Sequence, residues 1–274
     1  MNALPWGLWK RQVDAVVRLE LKRTFFSRRS WWVYLLALGP AFICTMHGIF
    51  DRGGHSIGVD TKIFGGIFQI FYLRFGIYFG CVGIFMNLIR GDVLEKTLHY
   101  YFLAPIRRDV LIAAKFLTGL IASVIIFVSA VAIAYVGCFM HFGAGFQNYL
   151  LNGPGWSHLT WYLAAAALAC LGYGSVFLLM GLMVRNPMIP AAVVMVWEGI
   201  NVFLPAFLQK VSITYWLRSL LPTTVPPEGP LALIVVTTDP APAWQAILCL
   251  AVLAAVLLWL AARRVREFEI SYVE

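Results

Sequence analysis

The chain has 274 residues, of which 61% are hydrophobic and 12% charged, with a formal net charge of +8. Soluble domains are roughly half apolar and about a quarter charged, so the composition excludes a soluble globular protein and predicts an all-α polytopic membrane protein. Excess Lys and Arg in such a chain mark the cytoplasmic side of a membrane, so no nucleic-acid partner is expected.

Segment 6–29 is amphipathic. Trp9, Val13, Val16, Val17 and Leu21 fall near one helical face, with Arg11, Asp14, Arg18 and Lys22 near the opposite one. This pattern predicts a helix lying in the cytoplasmic interface, in contact with membrane lipid. About 30 mostly polar and amphipathic residues precede the first long apolar run, so no cleavable signal peptide is expected. A membrane-crossing helix needs about 20 mainly apolar residues, and six segments qualify: 31–50, 64–89, 111–140, 159–184, 188–208 and 243–262. No soluble domain is left over, which predicts a single transmembrane domain over 1–274.

With the N-terminus inside, 16 of the 21 Lys and Arg residues fall on the cytoplasmic side and 4 outside, while Arg74 lies within a span. Both termini are then cytoplasmic and the chain sits in the cell membrane. The outer stretch 209–242, with Tyr215, Trp216 and Pro222, is expected to hold a short helix or re-entrant piece against the membrane.

Between the second and third spans lies RGDVLEKTLHYYFLAPIRRDV, residues 90–110, with seven charges in an otherwise oily chain. Asp92 is placed as the N-cap of a short helix, with Glu95 three residues on as in a capping box. Leu94, Leu98 and Tyr101 form an apolar stripe, and Pro105 ends the helix ahead of Arg107 and Arg108. Such a helix can dock into a groove on a cytoplasmic partner or lie on lipid headgroups.

Two charges fall within predicted spans. Arg74 lies about 24 Å along the helix from Arg90, in the outer third. Glu198 lies near the midplane with Asn201 on the same face. Ionisable groups at that depth are rare and often functional, so Glu198, Asn201 and Arg74 are candidates for a substrate path or for a structural polar contact such as an Arg74–Glu198 pair. His47, His55, His141 and His158 fall on the outer side. They come from separate segments with no i, i+4 pair and no local Cys or carboxylate set, so no metal site is expected. The five cysteines form no ligand-like spacing. Gly76 and Gly80 read as a small-residue pair that permits close helix packing.

The run Glu95-Lys96-Thr97-Leu98, then Ala104-Pro105-Ile106-Arg107-Arg108, then Lys115, resembles the central signature of ABC-2 type transporter permeases. The N-terminal LELKRTFFSRRSWW with Pro40 in the span behind it, and NVFLPAFLQKVSITYWLRSLLP, are similar to that family's interfacial helix with first span and to its stretch after the fifth span. Lys96 stands where the family commonly has Gly.

The resemblance implies a half-transporter. Two six-span chains pair, as a homodimer or with a homologous permease, and each rests on a separate ABC ATP-binding subunit. Arg90, Asp92, Leu94, Glu95, Lys96, Thr97, Leu98, Tyr101, Pro105, Arg107 and Arg108 would form the coupling segment. No GxxxxGK[ST] phosphate loop occurs in the chain, so ATP and Mg would be bound by the partner, and no catalytic residue is expected here. An ion-coupled secondary transporter or channel is the alternative.

Overall fold

The structure, a computed structural model, describes residues 6–27, 30–51, 56–94, 103, 106–184, 186, 188–223 and 238–266. Among these the chain is all helix, turn and loop. Helix α1 (Trp6–Phe26) precedes α2 (Trp31–Phe50). A continuous helix then runs from Ile57 to Leu94 as α3 (Ile57–Ile67), a π-helical stretch (Phe68–Ile77) and α4 (Tyr78–Leu94). Next come α5 (Arg108–Phe139), a 3-10 turn (Met140–Phe142), α6 (Ala144–Leu151) and α7 (Gly155–Met183). The remainder is α8 (Met188–Ile200), a 3-10 turn (Asn201–Phe203), the single turn α9 (Ala206–Gln209), α10 (Ile213–Ser219) and α11 (Ala243–Arg266).

Five helical stretches are long and apolar enough to cross a membrane: Trp31–Phe50, Ile57–Asp92, Arg108–Phe142, Gly155–Met183 and Ala243–Arg266. Large apolar side chains such as Phe42, Ile125, Val193, Val252 and Trp259 stand exposed on the outer surfaces of the bundle, the inverse of a water-soluble protein. α5 is the central helix and packs against α1, α2, α4, α7 and α11. Close approach needs small residues: a Cβ on Gly80 would collide with the Phe127 ring, and one on Gly76 would press on the Leu36 carbonyl.

The predicted helix 6–29 appears as α1, but its apolar face has a protein partner. Val16 and Val17 are buried with Leu111 and Ala114 of α5. Arg11, Asp14, Arg18 and Lys22 are exposed as expected. The predicted span 64–89 starts earlier, at Ile57, because Asp60 and Lys62 interrupt the apolar run without ending the helix.

The predicted span 188–208 differs most. Its helical part covers Met188–Phe203, about 24 Å at 1.5 Å per residue, less than the ~30 Å of a hydrocarbon core. The chain nonetheless travels the length of the bundle between Val184 and Thr223. Val184 is held beside Arg90 at one end, whereas Thr223 bonds Tyr162 and Gln69 towards the other. It does so in two short helices, α8 and α10, joined by the 3-10 turn and α9, with Asn201, Gln209 and Ser212 buried and Phe203, Phe207 and Val211 exposed.

Candidate functional site

The predicted coupling residues fall partly within and partly outside the described residues. Glu95, Lys96, Thr97, Leu98, Tyr101 and Pro105 lie outside the described residues. Leu94 closes α4, and its side chain also lies outside the description. Arg90 and Asp92 lie in the last described turn of α4, and Arg107 and Arg108 stand at the start of α5.

Asp92 corrects an expectation. It does not begin a new helix as an N-cap, because α4 runs unbroken through it to Leu94. Its carboxylate turns into the protein instead. Oδ2 accepts from Lys115 Nζ at 2.5 Å and Oδ1 from Arg23 Nη1 at 2.6 Å. Lys115 Nζ also donates to Glu20 Oε1 at 2.8 Å and to the Leu88 carbonyl at 2.8 Å. Lys115 is 1% exposed, Glu20 2% and Asp92 1%. Two cations thus face two anions in a near-dry site. Lys115 directs its three donors to three acceptors, which is the full complement of an ammonium group.

This tetrad joins three elements. Glu20 and Arg23 sit one turn apart on α1, Asp92 lies in the last turn of α4, and Lys115 lies two turns into α5. A cavity of about 200 Å³ opens beside it, lined by Glu20, Arg23, Thr24, Ser27 and Asn87 among others. The sequence reading placed Lys115 among the basic residues of the cytoplasmic side and in the family-like motif. It did not single out Glu20. The available signal was a Lys one helical turn inside a long apolar run, since a charge there requires a partner.

Arg90, Arg107, Arg108 and Arg266 at this end are also engaged. Arg90 donates from Nε to the Val184 carbonyl at 3.0 Å, closing the C-terminus of α7, where a cation also suits the helix dipole. Arg108 Nη1 donates to the Arg266 carbonyl at 2.8 Å at the end of α11. Arg266 in turn clasps Asp109 through two bonds of 2.9 and 2.8 Å. The Arg107 guanidinium lies 5.1 Å from the Trp9 ring centre, within cation–π range. Both helices are therefore fastened here: the end of α4 by the tetrad and α7, the start of α5 by α11 and α1.

Glu198 has a local role. It is 7% exposed and accepts three bonds at the start of α10: Ser212 Oγ at 2.5 Å, Ile213 N at 3.1 Å and Thr214 N at 3.1 Å. Those amides are the orphan donors of a helix N-terminus, where an anion is favoured. The carboxylate holds α8 to α10 across the irregular joint. Asn201 Nδ2 supports the same joint by donating to the Leu208 carbonyl at 3.2 Å. Arg74, in the π-helical stretch, is half-buried. It lies close enough to Arg218 for the two cations to repel, while Glu198 attracts Arg218. The partners that Glu198 finds among the described residues are thus the Ser212 hydroxyl and the α10 amides, not the expected Arg74.

At the opposite end the histidines do not remain apart as their spacing predicted. His47 and His141 meet at 5.9 Å between ring centres, and Asp51 and Asp60 face them. His158 pairs with the Tyr149 hydroxyl at 2.7 Å, and His55 lies outside the described residues. No family model matches this chain, and no curated protein is significantly similar to it in sequence.

Proposed function

We propose that this chain is the transmembrane permease subunit of an ATP-driven exporter. In this reading two copies, or one copy and a homologous permease, pair in the cell membrane with both termini cytoplasmic. Each rests on a separate ATP-binding subunit that holds ATP and Mg. The chain crosses six times, the fifth crossing being the broken path through α8 and α10. Residues 90–110 act as the coupling segment, and nucleotide-driven movement of the partner displaces them.

The observation that carries this reading is the fastening of that segment at both flanks. A push on residues 95–105 loads Asp92 and Lys115 together, and through Glu20 and Arg23 it loads α1. Arg108 and Asp109 pass the same load to α11. Packed helices tied in this way move as rigid bodies, which is how a small shift at one end becomes a rearrangement of a path elsewhere. A solvated connector would have no use for a buried ion cluster at its root.

The test is co-purification and coupling. An ATP-binding subunit co-purifies with the tagged chain, and Glu95→Ala or Arg107→Ala leaves ATP hydrolysis running while transport in proteoliposomes falls. If no ATPase associates and transport follows an ion gradient instead, the proposal fails.

A further inference from the structure

The histidine end carries a feature that transport coupling does not use. Asp60, in the first turn of α3, is fully buried. His141, in the 3-10 turn after α5, has a side chain only 6% exposed. Asp60 Oδ1 and both ring nitrogens of His141 make no hydrogen bond, although His141 Nε2 stands 3.4 Å from Asp60 Oδ2. His47 Nε2, at the end of α2, is 3.3 Å from the same oxygen. Asp51 Oδ2 completes the group, 3.8 Å from His47 Nε2 and 3.9 Å from His141 Nε2. Buried polar atoms without partners are rare and call for an explanation. Two carboxylates turned towards one another in an enclosed site call for a cation.

The spacing fits a small tetrahedral ion. A tetrahedral ion with bonds of about 2.0–2.1 Å holds its ligand atoms roughly 3.3–3.4 Å apart. The two His–Asp60 distances fall on that value. The Asp51 distances are slightly longer and lie within reach of a side-chain rotation. Two imidazole nitrogens and two carboxylate oxygens suit a first-row divalent metal of the zinc type and not the all-oxygen sites of Ca²⁺ or Mg²⁺. We propose that His47, His141, Asp60 and Asp51 bind a Zn²⁺-class ion that clamps the ends of α2, α3 and α5 together. The ligand atoms stand within 4.8 Å of one another as two triads that share Asp60, one with Asp51 and His141 and the other with His47 and Cys138. Drawing both imidazoles onto one ion would leave no open position, which makes it a staple and not a catalyst.

The backbone is built for this convergence. A Cβ on Gly48 would collide with the Gly137 carbonyl oxygen, so α2 and α5 touch directly beside His47 and His141. Cys138 Sγ also lies near His47 and Asp60, with ligand atoms within 4.8 Å of one another, and it lines the wall of the site. The inference stands independently of the transport reading.

The experiment uses the full chain in detergent, stripped with chelator and titrated calorimetrically with Zn²⁺. Stoichiometric binding is expected, with excess Mg²⁺ or Ca²⁺ failing to compete. Disturbing outer contacts of a metal site costs about 10–100-fold in affinity, so Asp60→Asn and His141→Gln should each weaken binding by at least that factor. His47→Gln, at a partly exposed position, gives the same loss should the buried variants not fold. His158→Gln, at the same end but paired with Tyr149, binds as the native chain does. Co²⁺ in place of Zn²⁺ shows the visible absorption of a tetrahedral site. Absence of stoichiometric binding, unchanged affinity in the His47 and His141 variants, or displacement by Ca²⁺ would each overturn the proposal. So would stability at this end that responds to pH and not to zinc, because a proton would then take the cation's place.

Discussion

At the basic end, Lys115 and Arg23 face Glu20 and Asp92, each anion bonded to a cation, with Lys115, Glu20 and Asp92 buried and Arg23 partly exposed. At the histidine end, Asp51 and Asp60 face two imidazoles, with buried atoms left unbonded. The first set is neutral as it stands and so acts as a fastener. The second leaves Asp60 Oδ1 and both ring nitrogens of His141 buried and unbonded, which is what a binding site requires. Burial alone does not tell these apart. The count of charges and donors does.

The largest expected effect breaks the fastener. Lys115→Met leaves Glu20 and Asp92 buried without their shared cation, and removing one partner from a buried pair costs about 3–5 kcal/mol. Thermal unfolding in detergent, or loss of the monodisperse peak at ordinary temperature, reads this. A neutral outcome would mean that Arg23 alone balances both anions. The histidine end should respond in the opposite direction, gaining stability when something is added. Zn²⁺ at a hundred times its dissociation constant raises the unfolding free energy by about 2.7 kcal/mol, and chelator reverses the shift.

Glu198→Gln is intermediate. It keeps the shape but removes the charge that strengthens three bonds and complements the α10 dipole, a loss of about 1–2 kcal/mol. Protease accessibility between α8 and α10 should rise with it. Arg18→Ala marks the floor of the scale. Its pair with Asp14 at 3.0 Å is solvent-exposed, and such pairs contribute little, so the melting temperature should not change measurably.

Much of the helical layout was legible because membrane helices announce themselves by unbroken apolar length. The first span agrees with Trp31–Phe50 to the residue, since the basic flank before it ends abruptly. The second was read as starting late, because Asp60 and Lys62 look like a loop when their neighbours in space are unknown. The fifth was read as longer than its helix, because composition stays apolar through Leu204 and Pro205 while the hydrogen bonding changes at Asn201.

The sites were less legible than the spans. Lys115 was visible as a charge in an oily run, but Glu20 was hidden on a helix already full of charge. Only tertiary packing brings the two together, 95 residues apart. The same holds for His47 and His141, whose separation in sequence argued against a shared site until Gly48 and Gly137 let their helices touch.

The π-helical stretch Phe68–Ile77 has a consequence for the whole molecule. Asp60 and Asp92, one in each charged cluster, ride on the same continuous helix, with this stretch between them. π geometry is rare and sits at functional positions more often than chance, and it winds the chain less tightly than the helix on either side. Any tightening of that stretch towards α geometry must twist one aspartate about the helix axis relative to the other. The two ends of the protein are therefore joined as by a torsion bar, with Asp92 of the tetrad at one end and Asp60, facing His47 and His141, at the other.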